Sequence, residues 1–274
     1  MGFFGRKRAA SVPHPRKEPR FDGPLTLERL EQIFQDCVDF TKRPVSLGEG
    51  GACTLTLCYL SGMVKMERVS DYVLRPLAQD EALARCGTPR QAMDRMKDGA
   101  LYNLSAEERT RLDAAVFDLV NGCCLLLFPG ESSVLSLNVG TEEKRSISSP
   151  SNETVLKGSR DAFVESLRTN TSIVRRHLKA PELRIREQVV GRQSVTSVDI
   201  LYIEGLTNPH LVEQVAAQLA DIDIDAVLAT GNIEEYIVPA ARTAFPLVQY
   251  TERSDRFCAG LAEGRAVSYT HLTL

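Results

Sequence analysis

The chain has 274 residues, a net charge of −3, 43% hydrophobic residues and 25% charged residues. That length suits one large domain or two small ones with a substantial core. The acidic balance, the lack of tryptophan and an aromatic content of 6% argue against a general nucleic-acid binder, which would carry a basic patch or stacking platforms.

Residues 1–24 hold Arg6, Lys7, Arg8, Arg16, Lys17 and Arg20 among four prolines. Such a segment cannot bury enough apolar surface to order itself, so it reads as a disordered basic arm, with attraction to an anionic membrane as the alternative to a solvated tail. A first α/β lobe is expected over 25–150. Leu27, Leu30, Ile33, Phe34 and Cys37 recur at helical spacing, and Gly48-Glu-Gly-Gly51 breaks the chain. Leu55, Leu57 and Tyr59 alternate with Thr54, Thr56 and Cys58 as a strand, and Val69–Leu74 predicts a short helix. Ser105-Ala-Glu-Glu108 has the spacing of a capping box before a helix through Leu119, which Asn121-Gly122 ends. Cys123–Phe128 and Val134–Val139 follow as strands joined around Pro129-Gly130. Polar Thr141–Asn152 marks the boundary.

A second α/β lobe is expected over 157–267. It opens with a helix near Ser159–Leu178, and Leu183–Val190 and Val198–Ile203 make strands around Gly191-Arg-Gln-Ser194. Asn208-Pro209 starts another helix. Ile222–Leu228 reads as a strand, Asn232–Ile237 as a short helix and Leu247–Thr251 as a strand, and Ser254 caps a last helix ending at Gly264. Strands alternating with helices predict an α/β fold with mixed or mostly parallel sheets.

The chemistry is sparse. Cys37, Cys53, Cys58, Cys86, Cys123, Cys124 and Cys258 contain no CxxC pair, which suits reduced thiols over disulfides or zinc. Asp221, Asp223 and Asp225 would share one face of a strand, as a divalent-cation site requires. The glycine and terminal glutamate of a calcium loop are missing, so solvated acids are the plainer reading. The turn after Ile203 leads from strand to helix, but Asn208 and Pro209 remove the amide donors a phosphate would need. His14, His177, His210 and His271 are dispersed and none adjoins a nucleophile motif, although triad members meet only in space. Arg175-Arg176 near a helix C-terminus suits the macrodipole. Arg160, Asp161, Glu252 and Arg253 read as local capping and ion pairing. No catalytic, metal or cofactor constellation is expected, and no apolar run approaches the ~20 residues of a membrane span.

Gly158-Ser-Arg-Asp-Ala-Phe-Val-Glu-Ser-Leu-Arg-Thr-Asn-Thr171, Leu183-Arg-Ile, Val190-Gly-Arg192, Leu201-Tyr-Ile-Glu-Gly205, Asn208-Pro209, Asp221-Ile-Asp-Ile-Asp225 and Tyr250-Thr-Glu-Arg-Ser-Asp-Arg256 together resemble the signature of the GerA family, the A-subunits of spore germinant receptors. Looser likeness reaches back to about residue 50. Ser159 and Ser148-Ser149 depart from the family pattern, and Ser268-Tyr-Thr-His-Leu-Thr-Leu274 breaks it, so 268–274 is expected to be a non-native tail on a truncated chain. The resemblance implies a non-enzymatic, cytosol-facing head at the spore inner membrane, coupling nutrient sensing to ion release. It implies a membrane B-subunit and a lipoprotein C-subunit as partners, membrane helices in the missing C-terminal region, and leaves a homo-oligomer open. A sporulation-operon paralogue shares the same head. The motif residues it singles out for interaction or gating are Arg160, Asp161, Glu204, Asn208, Thr251, Glu252 and Arg253. The rival class is a small-molecule-binding protein or enzyme using a cleft between two lobes.

Overall fold

The structure, a computed structural model, describes residues 20–47, 53–101, 106–140, 162–227, 233, 236–237, 249 and 251–270. Its first layer is a five-stranded sheet built from β1 (Phe40–Ser46), β2 (Thr54–Leu60), β3 (Ala106–Arg109), β4 (Cys123–Leu127) and β5 (Val134–Asn138). The strand order is β1-β2-β4-β5-β3. Alternation along each strand feeds two cores. Leu55, Leu57, Tyr59, Cys124, Leu126, Leu135 and Leu137 face one side, covered by α2 (Met66–Val69), a π-helical turn (Ser70–Leu74), α3 (Arg75–Gln79), α4 (Glu81–Ala84) and α5 (Pro89–Arg95). Cys58, Leu60, Leu125 and Leu127 face the other side, where α1 (Leu27–Ile33) and α6 (Leu112–Val120) pack.

The second sheet is β6 (Leu183–Val190), β7 (Thr196–Ile203) and β8 (Val267–Thr270), in that order. One face meets α8 (Pro209–Ala220) through Val198, Ile200, Ala216 and Leu219. The other meets α7 (Leu167–His177) and α9 (Ser254–Ala262) through Val174, Leu183, Ile185, Leu201, Phe257 and Leu261.

The mixture of helices and strands is as expected, but the strand pairing is not. Every paired strand in both sheets runs antiparallel. The turns at Pro129-Gly130 and Gly191–Ser194 are too short for anything but hairpins, since parallel neighbours need a long crossover. Counting strand–helix alternation overlooked that constraint. The parallel contact that does occur is an isolated bridge, Cys37 to Ile185.

Four elements also differ from their predicted form. Ala106-Glu-Glu108 lies in β3, paired to β5, so the helix starts at Leu112 and the capping-box spacing is coincidental. The helix expected from Ser159 begins at Leu167, capped by Ser166. Ile222–Val227 is not a strand, because the carbonyls of Ile224 and Asp225 instead accept the amides of Arg192, Gln193 and Ser194 in the β6–β7 turn. Arg253, not Ser254, holds the cap position of α9. Gly48–Gly51, Thr141–Asp161 and most of 228–250 lie outside the described residues, as does 1–19 of the basic arm. Arg20 and Phe21 are placed, their amides donating to Asp113 Oδ1 at 2.8 and 3.4 Å.

Gly122, between α6 and β4, shows what the first layer demands of its turns. Its φ is +87°, and a Cβ there would sit 2.7 Å from the Met63 carbonyl oxygen. Gly122→Ala is therefore expected to cost about 2 kcal/mol or more, from left-handed strain plus the backbone clash, read by urea denaturation.

Candidate functional site

The chemistry of the molecule concentrates where the two sheets meet. Asp36–Asp39, between α1 and β1, runs along the free edge of β6. The Val38 amide donates to the Ile185 carbonyl at 3.0 Å, and the Ile185 amide donates to the Asp36 carbonyl at 3.0 Å. Asp36 adopts φ 56°, a left-handed turn that aspartate tolerates better than most side chains. That turn swings the next residues onto β6 and delivers Asp39 to the interior.

Asp39 then meets Arg175, projecting from α7. Arg175 Nε and Nη2 donate to the two Asp39 carboxylate oxygens at 2.8 and 2.9 Å. Both side chains are 1% exposed, so this is a fully desolvated, fork-to-fork pair. Burial alone would lower the Arg175 pKa, but the adjoining Asp39 carboxylate more than reverses this, and the guanidinium stays charged. The surrounding contacts are close. Ser61 donates its amide to the Asp39 carbonyl at 2.7 Å, and a Cβ on Gly62 would lie 2.9 Å from the Ser172 Cβ of α7.

Arg184 makes a second crossing. From β6 its Nη1 donates to the Ile33 carbonyl at 2.5 Å and to the Pro181 carbonyl at 3.2 Å, while its other arm pairs with Glu204. Cys37 adds a weak thiol donor to the Leu183 carbonyl at 3.4 Å. At the rim, Lys179 Nζ donates to Asn121 Oδ1 at 2.8 Å, and Arg20 lies 3.5 Å from Glu182.

The predicted motif residues fall into three groups. Arg160 and Asp161, the two positions before Ala162, lie outside the described residues. Thr251, Glu252 and Arg253 come together with the end of that same motif: Ala162 bridges Arg253, and the Phe163 amide donates to the Glu252 carbonyl at 2.9 Å. Thr251 Oγ1 accepts the Arg253 amide at 3.1 Å, and the Arg253 guanidinium grips Asp255. Phe163 and Phe257 stack edge to face at 5.0 Å just beneath. Glu204 belongs to the joint through Arg184, whereas Asn208 only caps α8, accepting the His210 amide at 3.0 Å.

Sequence reasoning missed the joint's principal pair. Arg175, expected only to suit the helix macrodipole, is buried. The available signal was its place on the 167/171/175 row of α7, beside Val174, where a charge demands a buried partner. Asp39 carried no comparable signal. His177 Nε2 lies 3.3 Å from Ser254 Oγ, which is 0% exposed, and this contact ties α7 to α9. Asp223, one of the three candidate metal ligands, is occupied by Arg192. Among the described residues, no helix is long and apolar enough to cross a membrane.

Residues 28–269 match the model of a family described as Bacillus/Clostridium GerA spore germination protein. The chain belongs to the GerA family. It is 33% identical over 247 residues to the uncharacterized membrane protein YfkQ of Bacillus subtilis (strain 168), covering 90% of this chain and 47% of that protein. It is 32% identical over 227 residues to spore germination protein KA of the same organism, covering 83% and 41%. The solved N-terminal domain of the A subunit of the Bacillus megaterium spore germinant receptor GerK3 superposes with a TM-score of 0.69 at 26% identity, covering 90% of each chain. This GerA chain thus spans about half the length of the curated relatives it matches.

Truncating either member of the Arg175–Asp39 pair would leave a lone charge in the joint. Asp39→Ala or Arg175→Ala is expected to lower unfolding stability by about 3–5 kcal/mol in urea titrations. The double apolar replacement Asp39→Leu with Arg175→Met is expected to cost much less than the two single truncations added together.

Proposed function

We propose that this chain is the N-terminal head of a germinant receptor A-subunit, and that it works by holding and transmitting a conformational state, without bond-making chemistry. The observation that carries this reading is the likeness to the solved A-subunit head across 90% of both chains. The receptor reading is preferred to the sporulation-operon paralogue because that solved head comes from a receptor.

The joint supports the mechanical part. A buried fork-to-fork ion pair, two backbone hydrogen bonds and the Arg184 crossing tie the two sheets to one another. Sheets tied by directional bonds shift together or break several bonds at once, which suits a body that passes displacement onward. In the proposed assembly the following segment of the full-length protein enters the spore inner membrane, the head faces the cytosol or spore core, and B- and C-subunits are the partners. Glu204 then sets the joint from its rim, and Thr251–Arg253 with the neighbouring Arg160 and Asp161 form the contact or gating surface.

Disrupting the full-length gene in its spore-forming host is expected to slow germination toward at least one nutrient while leaving spore yield normal. Loss-of-optical-density assays over a panel of amino acids and sugars measure this. Unchanged germination across the panel, or a defect confined to spore formation, would overturn the receptor reading.

A further inference from the structure

The layer between α7 and the second sheet contains one group whose partners do not balance. Asp199 on β7 is 0% exposed. Its Oδ2 lies 3.1 Å from Thr171 Oγ1 and 3.5 Å from the Arg168 guanidinium, whereas Oδ1 has no hydrogen-bond partner among the described residues. Thr171 Oγ1 is also 3.0 Å from the Leu167 carbonyl in the first turn of α7. One hydroxyl hydrogen cannot serve both acceptors at full strength. A protonated Asp199 removes the conflict, because its own O–H donates to Thr171 Oγ1 and frees the threonine hydrogen for Leu167.

The charges around it point the same way. From β6, Glu187 is the cross-strand neighbour of Asp199, and its carboxylate is bonded to the same Arg168. From the first sheet comes Asp39, already taken by Arg175. From α9, Phe257, Leu261 and Cys258 pack in the apolar layer on the same face of the sheet, and on β8 the backbone partner is Tyr269. Three carboxylates therefore share two guanidiniums, and one negative charge is left over when all are ionised. Burial pushes the Asp199 carboxyl up to about 6; Arg168 and Thr171 pull it back, while Glu187 and Asp39 add to the rise.

We propose that Asp199 is a proton-operated latch on α7: taking up one proton seats the helix on the second sheet, and releasing it loosens both that seat and the Arg175–Asp39 joint one turn along. This goes beyond the receptor reading and does not depend on it. The folded state holds a proton that the unfolded chain has already released. Stability from this group is therefore greatest below the ordinary aspartate value and declines as pH rises from about 4 to about 6, by roughly 100-fold in the folded-to-unfolded ratio. Glu108, held down to about 2 by Arg90, Lys97 and Ser133, titrates below that window.

The test is a carbon-detected NMR titration of the chain between pH 4 and 8, with urea denaturation at each pH. The expected result is an Asp199 carboxyl midpoint near 6, tracked by the amides of Thr171, Ser172 and Ile185. Asp199→Asn, which mimics the protonated acid, should hold those amides at their low-pH positions and abolish the 100-fold decline. Glu187→Gln, a change at a partly exposed site, should move the Asp199 midpoint to lower pH by removing a like charge and releasing Arg168. A midpoint below about 5, amides that do not follow it, or a midpoint unmoved by Glu187→Gln would each overturn the latch, whether or not Asp199→Asn folds.

Discussion

The arrangement depends on one bidentate ion pair buried away from solvent. Two charges inside a protein are tolerated only when each satisfies the other, and the penalty for separating them far exceeds that for a surface pair. Arg175 lies on α7, against the second sheet, and Asp39 just before β1 of the first, 136 positions apart in the chain. Their pairing therefore fixes the distance and orientation of α7 relative to the start of β1 in a way that apolar contacts, which slide, cannot. A planar guanidinium facing a carboxylate admits little angular freedom. Specificity of docking, more than net stability, is what such a pair contributes.

Other features of the joint are consequences of reaching that geometry. The chain must turn sharply after α1 to bring Asp39 inward, and Asp36 supplies the left-handed residue. Having turned, Asp36–Val38 lies along β6 and satisfies its backbone groups there, since a buried amide left without a partner would be costly. The approach of α7 must be close, and Gly62 with Ser172 provides the small surfaces that allow it. Arg184 then covers the Ile33 carbonyl at the C-terminal end of α1, with Glu204 holding its outer arm.

The sequence made local structure legible where one physical signal dominated. Asn208 caps α8 with Pro209 at its first position, and the apolar alternation of Leu55, Leu57 and Tyr59 marks β2. It failed where two signals competed. Ala106–Arg109 has a helical capping pattern, but pairing with the hydrophobic edge of β5 outweighs that weak preference. Ile222–Val227 alternates like a strand, yet its carbonyls are claimed by the tight β6–β7 turn. Cross-chain constraints left still less trace. Nothing local to Asp39 announces an arginine on a distant helix, and Arg175 read as a cation suited to the helix macrodipole. The family signature was plain, whereas what its residues do was not.

That last contrast bears on how the signature should be understood. Glu252 meets the neighbouring motif through its carbonyl, Thr251 accepts the Arg253 amide two residues on, and Asn208 caps its own helix. These contacts specify backbone paths. A motif built from such residues marks a shape that must be reproduced, and its members need not touch any ligand. The shape in question is a continuous run of backbone hydrogen bonds: Asp36–Val38 to β6, β6 to β7, and β7 to β8. Asp199 and Glu187 sit on the middle rungs of that run, and α7 rests on it while holding the first sheet through Arg175. A change of charge at Asp199 is thus applied where the helix that carries the joint and the ladder that crosses it share a side chain. In the receptor role proposed here, that is the position from which a single ionisation has most leverage on how firmly the two sheets are held together.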